Sequence, residues 1–208
     1  GIAISDGANN VFIGLESGAH DVNVTTGDYN TFIGGLTDGS VADAQNQIAI
    51  GYNVSCIANE TITVGRSAYT ASLGLDGSDT SWAAASSDER YKENIETSTA
   101  GLSFVNDLRP VTYNWKKAKD VPSDMPLYEE GSDKAVLGNE YGETLHGFIA
   151  QEVKAVIDGH SEIKEGFKMW KLRDDDVQTI ADGNLVPMLV KAVQELSQQV
   201  EELKAKIN

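Results

Sequence analysis

The chain has 208 residues, 40% of them hydrophobic, with 32 acids against 16 bases and a net charge of −16. That length holds one large or two small domains, and the apolar content is enough for a core. The absence of a basic patch excludes a nucleic-acid surface, and the acidity excludes electrostatic docking on an anionic membrane.

A short unit recurs in the first third: Asn10-Val11-Phe12-Ile13-Gly14, then Asn30-Thr31-Phe32-Ile33-Gly34. Looser copies are Asn46-Gln47-Ile48-Ala49-Ile50-Gly51 and Asn59-Glu60-Thr61-Ile62-Thr63-Val64-Gly65, so the closing glycines lie 20, 17 and 14 residues apart. Alternating apolar positions predict one short strand per unit, ended by a glycine free to take positive φ. Gly, Asn, Asp, Ser and Ala fill the turns between them. Such a unit cannot bury its own apolar face and must stack on its neighbours or on other chains. The shortening spacing predicts loops that shrink along the stack. Gly51–Gly65 resembles the head repeats of trimeric bacterial adhesins, and is similar to repeats that precede the chaperone domain of many phage fibres. The resemblance implies a β-roll or interwoven β-structure built as a trimer; a monomeric β-solenoid is the other reading. The single cysteine, Cys56, excludes an intrachain disulfide, and its apolar setting predicts a small buried residue. Asn23-Val24-Thr25, Asn53-Val54-Ser55 and Asn59-Glu60-Thr61 fit the glycosylation pattern and are read as turns. No cluster of aromatics and carboxylates suited to a sugar occurs, and Trp82 is the only tryptophan here.

Residues 66–86 lose the repeat. Their serines, glycines and the Ala83-Ala84-Ala85-Ser86-Ser87 run predict an exposed connector able to enter an active centre without dismantling a core. Composition changes at Ser86-Ser87-Asp88-Glu89-Arg90-Tyr91-Lys92-Glu93-Asn94-Ile95. Nine of the acids and one of the bases, Arg66, precede residue 87, which leaves each part at −8. Ser87 lies five residues ahead of Lys92. A lysine amine serves as general base for a serine hydroxyl when burial or nearby positive charge favours its neutral form.

Beyond the junction, Leu102, Val105 and Leu108 predict a helix over 98–108, ended by Arg109-Pro110. Val111–Trp115 alternates as a strand. Residues 116–141, with Pro122, Pro126, Gly131 and Gly138, read as a long loop. Leu145–Ile149 is a short strand and Gln151–Ile157 a short helix stopped by Asp158-Gly159. Phe167–Leu172 and Val177–Ile180 are further strands. The last helix starts near Asp182 or Asn184, either of which can cap it, with Pro187 in the first turn. A heptad seam follows: Val193, Val200 and Ile207 at a, Leu189, Leu196 and Leu203 at d. That a/d pattern alone leans towards a two-stranded coil. The alternative is one amphipathic helix packed on its own domain.

Four pieces carry a second resemblance: Ser87 to Ile95; Leu108-Arg109-Pro110-Val111-Thr112-Tyr113-Asn114-Trp115; His146-Gly147-Phe148-Ile149-Ala150-Gln151-Glu152-Val153; and Leu185-Val186-Pro187-Met188-Leu189-Val190-Lys191-Ala192-Val193-Gln194-Glu195-Leu196. In order and spacing residues 87–208 resemble the endosialidase-type intramolecular chaperone, the S74 peptidase family, which ends phage tail fibres and spikes. Tyr91 departs from the family, where an aliphatic residue is more usual. The resemblance implies an α+β architecture: a repetitive β shaft over 1–86, with a cleavage-site connector at 66–86, then a mixed α/β chaperone domain over 87–208 whose coiled coil spans 185–208. It implies a homotrimer, and the fibre repeats also need partners.

The same resemblance implies self-cleavage between Ser86 and Ser87, with Ser87 as nucleophile and Lys92 as general base. An ester intermediate and direct attack by water are both compatible with these residues. An exposed lysine has a pKa near 10.4, so burial in the assembled trimer, or Arg90 close by, would have to bring it down. Arg90, His146 and Gln151 are candidates for supporting roles; Asp88 and Glu89 read as a solvated turn or helix start. Such a domain folds the shaft, cuts itself away and leaves the fibre kinetically trapped. The implied setting is a virion tail fibre assembled in the host cytoplasm, with a host-surface receptor as partner of the whole fibre. An uncleaved adhesive fibre tip is the alternative function, and a stand-alone enzyme has no further constellation behind it.

No metal or cofactor is expected. His20, His146 and His160 are scattered, and Asp174-Asp175-Asp176 lacks the calcium-loop pattern. Some relatives bind nucleotide; no Gly-rich phosphate loop occurs here, and that point stays open. No signal peptide or membrane span is legible. A first residue of Gly rather than Met reads as a fragment of a longer chain.

Overall fold

The computed structural model describes residues 6–207 apart from 78, 80, 85, 86, 139 and 140. The chain forms two compact units, Gly1–Ile95 and Glu96–Asn208, so the Ser87–Ile95 opening falls within the first.

In the first unit the four repeats become β1 (Val11–Ile13), β2 (Thr31–Ile33), β3 (Ile48–Tyr52) and β4 (Thr61–Arg66). They pair in parallel and in sequence order. Alternation puts the central residues Phe12, Phe32, Ala49 and Thr63 in one register row, against the buried Val24, Ala44, Val54 and Cys56. Phe12 and Phe32 stack at 4.9 Å. As the turns shorten, the inward side chain shrinks from Phe to Ala and Thr. The turns stack as well: Asp28 bridges Gln45 and Asp38 bridges Ser55, both in parallel. Burial pushes the Cys56 thiol up to about 11, so it packs as an inert small residue.

A ladder of side-chain amides ties the strand entrances together. Asn10 Oδ1 accepts from the Asn30 backbone N–H at 2.9 Å, Asn30 Oδ1 accepts from the Gln47 N–H at 2.9 Å, and Gln47 Nε2 donates to Asn59 Oδ1 at 2.7 Å. Gln47, not Asn46, therefore occupies the rung that Asn30 holds in the second repeat. Asn46 instead takes a left-handed turn at φ 52°.

Residues 66–86 differ from the expected connector. β5 (Tyr69–Gly74) folds back antiparallel on β4, and β6 (Ala83–Ala84) follows on β5. The alternating Tyr69-Thr70-Ala71-Ser72-Leu73 run covers the open edge of the parallel stack, which would otherwise leave a row of unpaired backbone groups.

The second unit holds α1 (Leu102–Asp107), β7 (Val111–Tyr113), β8 (Leu145–Gly147), α2 (Ala150–Gly159), β9 (Trp170–Leu172), β10 (Gln178–Ile180) and α3 (Val186–Ile207). β7 pairs with β8 and β9 with β10, both antiparallel. The core gathers Phe104, Leu108, Val153, Ile157, Met169 and Leu185. α1 begins at Leu102 rather than 98, because the α3 side chain Glu195 starts it: Glu195 Oε2 accepts from the Leu102 N–H at 2.8 Å. That bond holds the Glu195 carboxyl below its ordinary pKa. Phe104, rather than Leu102, anchors the helix, with Phe167 edge-on at 5.6 Å. Neither Asp182 nor Asn184 caps α3 through its side chain; a 3-10 turn over Asp182–Leu185 runs straight into it. The 116–141 loop is pinned where Lys117 Nζ and Lys119 Nζ each lie 2.7 Å from Asp133 Oδ1. Lys117 foremost lowers the Asp133 carboxyl to about 2.

His160 is clamped at the end of α2. Its Nδ1 lies 2.9 Å from Glu162 and its Nε2 2.9 Å from Asp107 of α1, with Phe104 edge-on at 5.3 Å. Glu162 first and Asp107 second raise the His160 pKa above 6.5, while His160 lowers that of Glu162 below 4.5. A raised histidine pKa stabilises fully below its unfolded value and loses that contribution as pH rises through the folded one. The Glu162 contribution is present above its unfolded value and is lost as pH falls through the folded one. The difference in melting temperature between the native chain and His160→Gln should therefore be widest near pH 5 to 6 and close above neutrality. A constant difference across that range would refute the clamp.

Candidate functional site

The junction is built on one short turn. Asp88, in extended backbone, caps a 3-10 helix over Glu89–Tyr91; its side chain accepts from the Arg90 N–H at 2.9 Å. The Lys92 N–H bonds to the Glu89 carbonyl at 2.9 Å and ends the turn, with Lys92 again extended. The reversal brings the side chain of Lys92 back over the start of the segment, where Lys92 Nζ donates to Ser87 Oγ at 2.9 Å. An amine at that distance is in range to exchange a proton with the hydroxyl: once neutral, its lone pair accepts the O–H it now faces.

The site is open. Ser87 and Lys92 are exposed, and so are the flanking apolar side chains Tyr91 and Ile95, at 82% and 67%.

Arg90 does not stand free beside Lys92. Its Nε lies 3.0 Å from Asp88 Oδ1 and its Nη2 2.6 Å from Asp88 Oδ2. The guanidinium holds the Asp88 carboxyl below its ordinary range, and the carboxylate raises the Arg90 pKa in turn. With its charge balanced by Asp88, Arg90 is a poor source of the positive field expected to neutralise Lys92. Asp88, read from the sequence as a solvated turn or helix start, does start the turn, and the local signal is its type: Asp is a residue that caps.

His146 and Gln151 belong to the second unit. His146 lies on β8 opposite Thr112, and Gln151 in the first turn of α2; both are exposed. Ser86, the residue before the expected cut, lies outside the described residues. Among the described residues no group of three or more His, Cys, Asp or Glu is placed to hold a metal ion. No described helix is long and apolar enough to cross a membrane.

The family model of the S74 peptidases, described as the chaperone of endosialidase, matches residues 87–161. The match opens on Ser87, spans the Leu108–Trp115 and His146–Val153 pieces, and stops before α3. It supports a chaperone domain over these residues and, with it, an intramolecular chaperone role. No curated protein and no solved structure gives a significant match.

Proposed function

We propose that this chain is the C-terminal part of a trimeric phage tail fibre or spike. Its chaperone domain drives folding and trimerisation of the β shaft, and then severs itself between Ser86 and Ser87. The observation that carries this reading is the 2.9 Å approach of Lys92 Nζ to Ser87 Oγ, at the residue where the family match begins.

In the proposed reaction Ser87 Oγ attacks the Ser86 carbonyl carbon as Lys92 takes the hydroxyl proton. The Ser86–Ser87 C–N bond breaks, Lys92 returns the proton to the Ser87 nitrogen, and an ester is left on Ser87 Oγ. Water hydrolyses the ester, leaving a carboxylate on Ser86, an amine on Ser87 and a restored hydroxyl. The substrate is the chain itself, so each molecule reacts once.

Two uncovered faces support assembly with copies of the same chain. On the sheet, Ile13, Ile33, Ile50 and Val64 fall in one register column, on the side away from the core, and each is exposed. On α3 the Leu189, Val193, Leu196, Val200, Leu203 and Ile207 seam is exposed along its length, whereas Ala192 is buried. The seam is thus left uncovered by its own unit, against the single-packed-helix alternative. Assembly and chemistry are linked through Tyr91 and Ile95: a second chain that covers them strips water from around Lys92, and desolvation favours a neutral amine.

Intact mass under denaturing conditions, beside a Ser87→Ala chain, tests the reading. The expected result is two fragments divided between Ser86 and Ser87 in the native chain, one polypeptide in the variant, and a trimer by sedimentation of the variant. One uncut chain in both favours the adhesive fibre tip instead, with a host-surface receptor as its partner.

A further inference from the structure

We infer that Asp88 is a positioning residue for self-cleavage, acting by capping the turn that returns Lys92 to Ser87; this rests on the autoproteolytic reading above. The two partners lie five positions apart, and an extended segment of that length would carry their side chains apart, at about 3.3 Å per residue. What closes the distance is the 3-10 turn over Glu89–Tyr91. Three hydrogen bonds define it: Arg90 N–H to Asp88 Oδ1 at 2.9 Å, Tyr91 N–H to the Asp88 carbonyl at 3.2 Å, and Lys92 N–H to the Glu89 carbonyl at 2.9 Å. The turn buries none of its residues, so no core holds it in shape. Its conformation depends on its own bonds; the Asp88 carboxylate supplies one of the three acceptors, and the Asp88 backbone carbonyl, which any residue keeps, supplies a second. The same carboxylate also grips the Arg90 side chain. That ion pair is exposed, and exposed pairs contribute little. The cap, not the charge, is therefore the working part.

The assignment separates acceptor from charge. Asp88→Asn keeps a side-chain oxygen for the Arg90 N–H and loses the charge; Asp88→Ala loses both. Each full-length variant is refolded at low pH, jumped to higher pH, and followed by the appearance of the two fragments. Asp88→Ala is expected to cut about tenfold or more slowly, because misplacing a reacting group by about 1 Å has costs of that order. Asp88→Asn is expected within about threefold of the native rate, since Asn and Asp cap equally well. Asp88→Ala cutting within about twofold of native, or Asn as slow as Ala, would each overturn the assignment; the thresholds follow the cap energetics.

Failure of the underlying reading is distinguishable. If the native chain does not cut at all, autoproteolysis fails, and amide exchange then judges the turn alone. Faster exchange at Arg90 and Lys92 in Asp88→Ala than in the native chain and Asp88→Asn supports the Asp88 cap. Equal exchange in all three overturns it.

Discussion

Lys92→Ala is expected to cut about 10²- to 10⁴-fold more slowly than the native chain, the range that a positioned general base contributes. The ground is geometric. Lys92 Nζ lies 2.9 Å from Ser87 Oγ, and the neighbouring cation, Arg90, is held by Asp88. Alanine leaves Ser87 without an acceptor for its proton. Because Lys92 lies at the end of the turn and is exposed, its truncation removes no core contact, and the melting curve should not move. Lys92→Arg should be nearly as slow, since a guanidinium stays protonated. Time-resolved mass spectrometry after refolding reads both. Native-like cutting by Lys92→Ala would end the dyad mechanism.

The second large effect falls on the shaft. Gly34→Ala is expected to destabilise the first unit by about 3 kcal/mol or more, through backbone strain and a clash that cannot relax locally. Gly34 has φ 127°, and a Cβ there would drive into the Gly51 carbonyl oxygen of the next strand, well inside van der Waals contact. Gly51 stands in the same relation to Gly65, so one added methyl pushes on a stack whose next layer is equally tight. Gly77 is the control. It also has positive φ, at 85°, but nothing lies within 4 Å of its missing side chain. Gly77→Ala should cost about 1 kcal/mol, the conformational term alone. Denaturant unfolding of the two variants decides it; equal midpoints would show that the glycine stack tolerates a side chain.

Much of the fold is local and was legible for that reason. Period-two alternation ended by glycine located β1 to β4, and helical periodicity located α2 and α3, within a few residues at their ends. The heptad seam was legible too, because Leu189 to Ile207 repeat along one continuous helix. The candidate pair was visible as a spacing and through the family resemblance of the Ser87 to Ile95 piece, not as a geometry. Ser87 and Lys92 five apart say nothing of distance until the Asp88-capped turn bends the chain between them.

What tertiary structure alone decided lies wherever a partner comes from far along the chain. Gln47 displaces Asn46 from the amide ladder because strand register is a pairing between repeats, not a property of one. The Tyr69–Gly74 run becomes an edge strand because β4 needs a partner. α1 begins at Leu102 because Glu195, 93 residues later, accepts its first N–H, and no window around Gly101 contains that carboxylate. By itself the sequence determined the repeat, the helices and the Ser87–Lys92 spacing, since each rests on residues within a turn or two of one another. Register, helix start and the choice of which apolar face is left open follow from what packs against what, and only the folded chain decides that.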